Sequence, residues 1–483
     1  MPGTAQHTPR SHQNSATPHS TTTRSHRAAG SDSAGSNSTT HLLGPGYRPA
    51  PAETTHTDLA VRGTLPPQLD GTFLRIGANP RGEHDPAVRH AFAGPGMVHG
   101  LRLGGGRAHW YRSRLLRDDA LARELGELPV PGPRHGRAGE VNANLVRHAG
   151  RTLAVTDGAL PLVLDADLRT VARTDFDATL PGGFCAHPLT DPVTGELHAV
   201  TVDPAGGAAV LLTVDTAGRV RAARPVPVKG RPWMHAFALT ARHTVLFDLP
   251  VAHDAAEARA GSPVPLAWQP DRDARIGVVP RERPDAAPLW LDLPPCFVFH
   301  PVNAFEDAEG RITVDVIRHE RAFDRDRLHP SESAPTLWRW TLDPREGAVV
   351  ERQLDARVQE FPRIDERRTG LPHRYAFTVE LVPGDGAALC GPALLRHDLV
   401  AGRTDRHAFG PGRQGGEAVF VPRHATAPEG DGWLLTLVYD PAADRSELLV
   451  LDTADFTGPP VAVVPLPVRV PHGFHAQWVP TGW

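Results

Sequence analysis

Cysteine is scarce. Cys185, Cys296 and Cys390 are the only three in 483 residues, at spacings that offer neither a disulfide framework nor a zinc motif, which fits a reducing compartment. Long apolar runs are missing too: none approaches the roughly 20 residues that span a bilayer, and the first residues lack the apolar centre of an export signal. These absences lead us to expect a cytoplasmic protein. Excess positive charge is also lacking. Lysine and arginine number 51 against 55 acidic residues, a net charge of −4, so there is no electrostatic footprint for nucleic acid. Strand–helix alternation of the dinucleotide-binding kind is absent as well. With 49 prolines in the chain, long helices are disfavoured.

What the chain does contain divides into two parts. Residues 1–44 are rich in Ser, Thr, His, Gly and Arg with almost no large apolar side chain, so they cannot offset their ordering entropy and are expected to be disordered. Their histidines, His7, His12, His19, His26 and His41, are expected to be solvated. Residues 45–483 show short apolar runs broken by Gly, Pro, Asp and Asn every eight to twelve residues. Runs such as Thr152–Thr156, Ala208–Val214, His243–Asp248, Arg311–Ile317 and Trp433–Tyr439 are enriched in β-branched residues and predict strands. Turns such as Asp307–Gly310 and Asp431–Gly432 predict hairpins. The best helical window is Leu115–Leu128, with leucines near helical spacing. So many hairpins predict an all-β fold, a β-propeller rather than a sandwich, and the length fits about seven blades.

Histidine is abundant, at 26 residues, which supplies both ligands and decoys. Four histidines, His187, His235, His300 and His475, sit in strand-and-turn settings separated by 48, 65 and 175 residues. No pair forms a compact local metal motif. In a propeller, however, the inner ends of different blades converge on the axis, and imidazoles suit iron, copper, nickel or zinc. Taken singly, each is more commonly a packed or exposed histidine than a ligand. The C-terminal placement of Gly473-Phe474-His475 makes sense if the last strand is pinned inside the fold, since termini otherwise fray.

Several segments carry a resemblance. Gly71–Pro80, Phe92–His99, Asn142–Arg151, Ala186–Leu197, Glu360–Asp365, Gly416–Pro422 and the closing Gly-Phe-His run in the order found in the carotenoid cleavage oxygenase family, which this chain resembles from about Gly71 to its end. The resemblance implies a seven-bladed propeller with a helical and loop cap over a central iron site. It implies Fe(2+) held by His187, His235, His300 and His475, with Glu360 and Glu417 each hydrogen-bonded to a ligating imidazole. Such carboxylates fix the tautomer and offset part of the metal's charge.

Three positions depart from the family's pattern, the first being Pro95, where an aspartate is usual. Asp157 stands where a third glutamate is usual; it is one methylene shorter, so its bond to an imidazole is expected to be long, water-bridged or absent, with an Asp-Gly turn as the competing reading. Ala143 stands where many members have a threonine crowding a vacant metal position. His472 is expected to face away from His475, on the opposite side of a strand. His99, His148, His198, His373 and His424 are expected to be structural or exposed.

The implied activity is oxidative cleavage of a conjugated double bond by O2 into two carbonyl products, in an apolar tunnel and without an organic cofactor. Carotenoid or apocarotenoid substrates are expected; a stilbene-type phenylpropanoid is the alternative. Thr156 lies where stilbene cleavers often carry a lysine that meets a phenol oxygen. A propeller scaffold without chemistry, or a zinc hydrolase, is the reading from a different class. The segment Ala252–Ala267, Ala-rich and partly charged, predicts at most weak peripheral membrane contact.

Overall fold

The structure, a computed structural model, describes residues 44–82, 90–135, 139–283, 285–328, 332–382 and 389–481. The N-terminal tail predicted over residues 1–44 lies, but for its last residue, outside the described residues. The described chain is a seven-bladed β-propeller, as expected. Each blade is an antiparallel sheet of four or more strands. The second to sixth blades each use strands consecutive in sequence, apart from a small two-stranded insertion, Val251–His253 with Leu266–Trp268, inside the fourth.

Turn chemistry repeats from hairpin to hairpin. Asp215 accepts from the backbone N–H groups of Ala217 and Arg219, and Gly218 takes the left-handed conformation, φ +82, that ends the turn. Asp307 and Gly310 do the same between Pro301–Glu306 and Ile312–Arg318. An Asx turn closed by glycine reverses the chain without a Cβ clash. Burial then sorts strands within each blade. The outermost strands, such as Val220–Pro227 and Ala348–Asp355, are largely exposed, whereas central ones such as Ile312–Arg318 and Gly432–Asp440 are buried almost throughout.

The predicted strands match the observed ones to within a residue or so. The predicted helix does not. Leu115 ends the strand Arg107–Leu115, and helix covers only Asp119–Glu124. Asp118 caps it by accepting from the N–H groups of Ala120 and Leu121, and Gly126, at φ +69, turns the chain away before Pro129. The leucines are spaced by a strand end, a short helix and a loop, and their packing decides the matter. The segment expected to touch a membrane holds a capped turn of helix, Ala255–Arg259, beside the inserted strand pair. Among the described residues, no helix is long and apolar enough to cross a membrane.

Ring closure uses both termini. Arg62–Gly63 joins the seventh blade beside Ala462–Pro465, while the last strand, Ala476–Pro480, joins the first blade beside Gly71–Ala78. These exchanges tie the first blade to the last by backbone hydrogen bonds and pin the last described strand inside the ring. A chain ending at His475 is therefore expected to lose its cooperative thermal melt. An unchanged melt by calorimetry would show that the last strand does not hold the ring together.

Candidate metal centre

Each of the four singled-out histidines sits just before the innermost strand of a sheet. His187 precedes Leu189–Thr190, His235 precedes Ala238–Leu239, His300 precedes Pro301–Glu306 and His475 precedes Ala476–Pro480. Inner strands surround the axis, so residues at their entry meet at one end of it. One ring nitrogen from each of the four lies within 4.8 Å of the others. The rings stand edge to face, His187 at 4.5, 4.9 and 4.4 Å from His235, His300 and His475 by centroid.

Three of the four rings are held by carboxylates at Nδ1. His300 Nδ1 donates to Glu360 at 2.6 Å, His475 to Glu417 at 3.0 Å, and His235 to Asp157 at 2.7 Å. A carboxylate on Nδ1 keeps the proton there and turns the Nε2 lone pair inward. The bond from Asp157 is direct, which corrects the expectation that a shorter side chain leaves it long or bridged. The backbone supplies the missing length. Gly158, at φ +80, donates to the Phe184 carbonyl, and a Cβ on Gly183 would lie 2.2 Å from the Gly158 oxygen. Two glycines thus let the two loops approach closely, and Ala186 N–H fixes the other Asp157 oxygen at 2.9 Å.

Each carboxylate has a further donor that the sequence reading missed. Trp233 Nε1 donates to Asp157 at 3.0 Å, His319 Nε2 to Glu360 at 3.2 Å, and Arg363 to Glu417 at 3.1 Å. Trp233 and Arg363 lie inside segments already singled out, but nothing in their spacing announced the contacts. Burial raises the Glu360 and Glu417 carboxyls, yet their partners outweigh it. The nearby His300, with hydrogen bonds from His300 and His319, holds Glu360 well below the usual carboxylate range. The Arg363 charge, then His475, brings Glu417 to about 2. Phe361 takes a strained φ of 55 beside a register shift between Glu360 and Arg363, which re-aims Glu360 off its strand.

The donor set fits a metal ion. Nε2 of His187 and of His235 face each other at 3.1 Å, and the buried Nε2 of His300 has no hydrogen-bond partner. Inward lone pairs this close repel unless a cation or proton lies between them. Burial, then the other three imidazoles, pulls the His187 pKa well below its ordinary value, so protons are disfavoured. Four neutral nitrogens backed by three carboxylates suit a divalent transition metal.

A cavity of about 300 Å³ opens from this cluster, walled by Phe92, Trp233, Val264, Phe299, Leu389 and Phe474. Ala143 and Thr156 both line it, as do Glu140, Arg231 and His253. The other histidines stay outside the cluster. His472 bonds Gln414 at 2.9 Å, and it precedes the last strand, so strand alternation is not what turns it away. His99 bonds Tyr111, His148 the Asp215 carbonyl, His198 Arg281, and His373 lies by Asp315, while His424 is exposed.

Two outcomes follow from this geometry. Asp157→Asn keeps the shape but removes the charge behind His235, so metal affinity is expected to fall about 10- to 100-fold in a competition titration. The second concerns pH. Burial pulls His99 and His472 down to about 3, and His198, His397 and His475 down to about 4, from 6.5. The unfolded chain thus binds more protons below pH 6.5, so this stability is present above 6.5 and lost as pH falls towards 4. The melting temperature of metal-free protein is expected to drop across that window; a flat profile would contradict neutral burial.

Comparison with known proteins agrees with this architecture. The model of the retinal pigment epithelial membrane protein family matches residues 47–480. A carotenoid cleavage oxygenase of Mycobacterium tuberculosis is 40% identical over 485 residues, covering 90% of this chain and 96% of that protein. Among solved structures, a cobalt-substituted Synechocystis ACO superposes with a TM-score of 0.81 at 26% identity, covering 92% of this chain and 99% of that one. The lignostilbene dioxygenase of Pseudomonas brassicacearum gives 0.82 at 28% identity, covering 91% and 98%. The chain belongs to the retinal pigment epithelial membrane protein family of carotenoid-cleavage-type oxygenases.

Proposed function

We propose that His187, His235, His300 and His475 hold one Fe(2+) ion, and that the protein cleaves a conjugated C=C bond of a carotenoid or apocarotenoid. The observation that carries this reading is the convergence of four ring nitrogens within 4.8 Å, with Nε2 of His300 left without a hydrogen-bond partner, at the end of a largely apolar cavity. Bound Fe(2+) would supply the activation of dioxygen that lets it react with a conjugated double bond, both oxygen atoms ending in the two carbonyl products. Ala143 presents only a methyl group to the cavity, where many family members carry a threonine.

The chain's own part is positional. Glu360, Glu417 and Asp157 keep Nδ1 of three rings protonated, so Nε2 of His300, His475 and His235 stays an acceptor. Phe92, Phe299, Phe474 and Leu389 offer an extended apolar substrate a surface and keep water away from it. Which double bond lies next to the four rings then depends on where the substrate's ends stop. Thr156, beside Asp157, brings no amine to a phenol oxygen, which favours polyenes over stilbenes. Three buried free cysteines suit a cytoplasmic protein, in at most transient contact with a membrane.

Aerobic incubation of the iron-loaded protein with carotenoid, apocarotenoid and hydroxystilbene substrates is expected to give aldehydes, identified by mass, from the polyenes. No aldehyde from any of them would remove the assignment. His300→Ala is expected to abolish iron retention while leaving the far-ultraviolet spectrum and the melt of the metal-free protein nearly unchanged. Stoichiometric iron in that variant would contradict the ligand set.

A further inference from the structure

One charged side chain in the cavity wall has no part in holding the four rings. Arg231 begins the segment that leads through Trp233 to His235, and it lines the cavity together with His253. The two are locked side by side. His253 N–H donates to the Arg231 carbonyl at 3.0 Å, and Arg231 Nη1 donates to His253 Nδ1 at 3.3 Å. Pro232 and Ala252 pair next to them, continuing the inserted strand pair. The guanidinium is therefore mounted on backbone hydrogen bonds.

The carboxylates and the amide around the cavity are already committed, and the Thr156 and Thr201 hydroxyls that also line it carry no charge. Asn142 donates to the Phe92 and Gly94 carbonyls, and Glu140 accepts from Gly94 N–H at 2.6 Å. Asp157 and Glu360 hold their imidazoles. Asp254, next to His253, caps the helical turn by accepting from Ala256 and Glu257 N–H. Among the described residues Arg231 has no carboxylate partner, and it is the sole arginine of the cavity wall. Arginine only donates hydrogen bonds. A hydrocarbon end group laid against it would strip its water and return nothing, whereas an oxygen acceptor would form a charge-assisted bond.

We propose that Arg231, held by His253, receives a terminal oxygen of the substrate. The protein then prefers a polyene whose end carries a carbonyl or carboxylate oxygen over one that ends in hydrocarbon. This preference rests on the polyene-cleaving function proposed above. It also places the chain downstream of a reaction that oxidises or cleaves a longer polyene, because that class of reaction creates such an end.

The test compares wild type, Arg231→Leu and Arg231→Lys, all iron-loaded, on a polyene aldehyde, the matching acid and a hydrocarbon-ended polyene of equal conjugation. Anaerobic absorption titrations of the same three compounds give binding without turnover. Wild type is expected to show a kcat/KM ratio of oxygenated to hydrocarbon substrate of about 10- to 100-fold. Arg231→Leu should bring that ratio towards unity through KM rather than kcat, with the same change in anaerobic affinity, and Arg231→Lys should restore part of it. A wild-type enzyme without the preference, or an Arg231→Leu variant that retains it, overturns the proposal. If wild type cleaves none of the three, the proposed function has failed, and the anaerobic affinities still decide whether Arg231 selects an oxygenated end. Should Arg231→Leu melt early, Arg231→Lys carries the comparison.

Discussion

Imidazole lone pairs directed at one point repel one another unless a cation or a proton lies between them. Everything around the axis of this propeller maintains that situation. His187 and His235 bring Nε2 atoms to 3.1 Å, and three carboxylates hold the protons of His235, His300 and His475 on the far side of each ring. Protonation would relieve the repulsion, but burial opposes it. What remains is a set of four nitrogens whose chemistry suits a divalent metal ion.

The fold meets this constraint by geometry rather than by local motif. A ring of blades gives each ligand its own inner strand, and the entry points of those strands share one end of the axis. Residues far apart in sequence therefore meet without any loop having to be long. Closure by the last strand serves the same end, because Ala476 N–H and the Ala476 carbonyl bind Glu417 and Arg363 at 2.6 and 2.8 Å. The hydrogen bonds that complete the ring thus run into those that orient His475.

The strands and the ring were legible in the sequence because alternating burial and Asx-glycine turns leave direct residue-level marks, as at Asp215 and Gly218. The helix over Leu115–Leu128 was misread because leucine spacing cannot tell a strand end from a helical face when both are buried. The histidines were legible one by one, but their convergence was not, since blade geometry rather than spacing creates it; the family resemblance supplied that step. Asp157 was undervalued for a related reason. Side-chain length is visible in a sequence, while the approach of two loops through Gly158 and Gly183 is not. Trp233, His319 and Arg363 belong to the same class, donors whose role depends on a contact across blades.

The cavity wall and the four rings are only partly separate. Trp233, Asp157 and Glu360 line the cavity and also hold the rings or their carboxylates, whereas Arg231 and His253 line it without touching them. Under the reading proposed above, side chains of the second kind choose the substrate and can change without disturbing the rings.

The most direct measurement is X-ray absorption at the iron edge of the protein loaded with one equivalent of Fe(2+). The account predicts a shell fitted by four imidazole nitrogens, with their outer-ring scattering, on an iron that remains ferrous. A shell with two or fewer imidazoles, or one unchanged in His475→Ala, would contradict it.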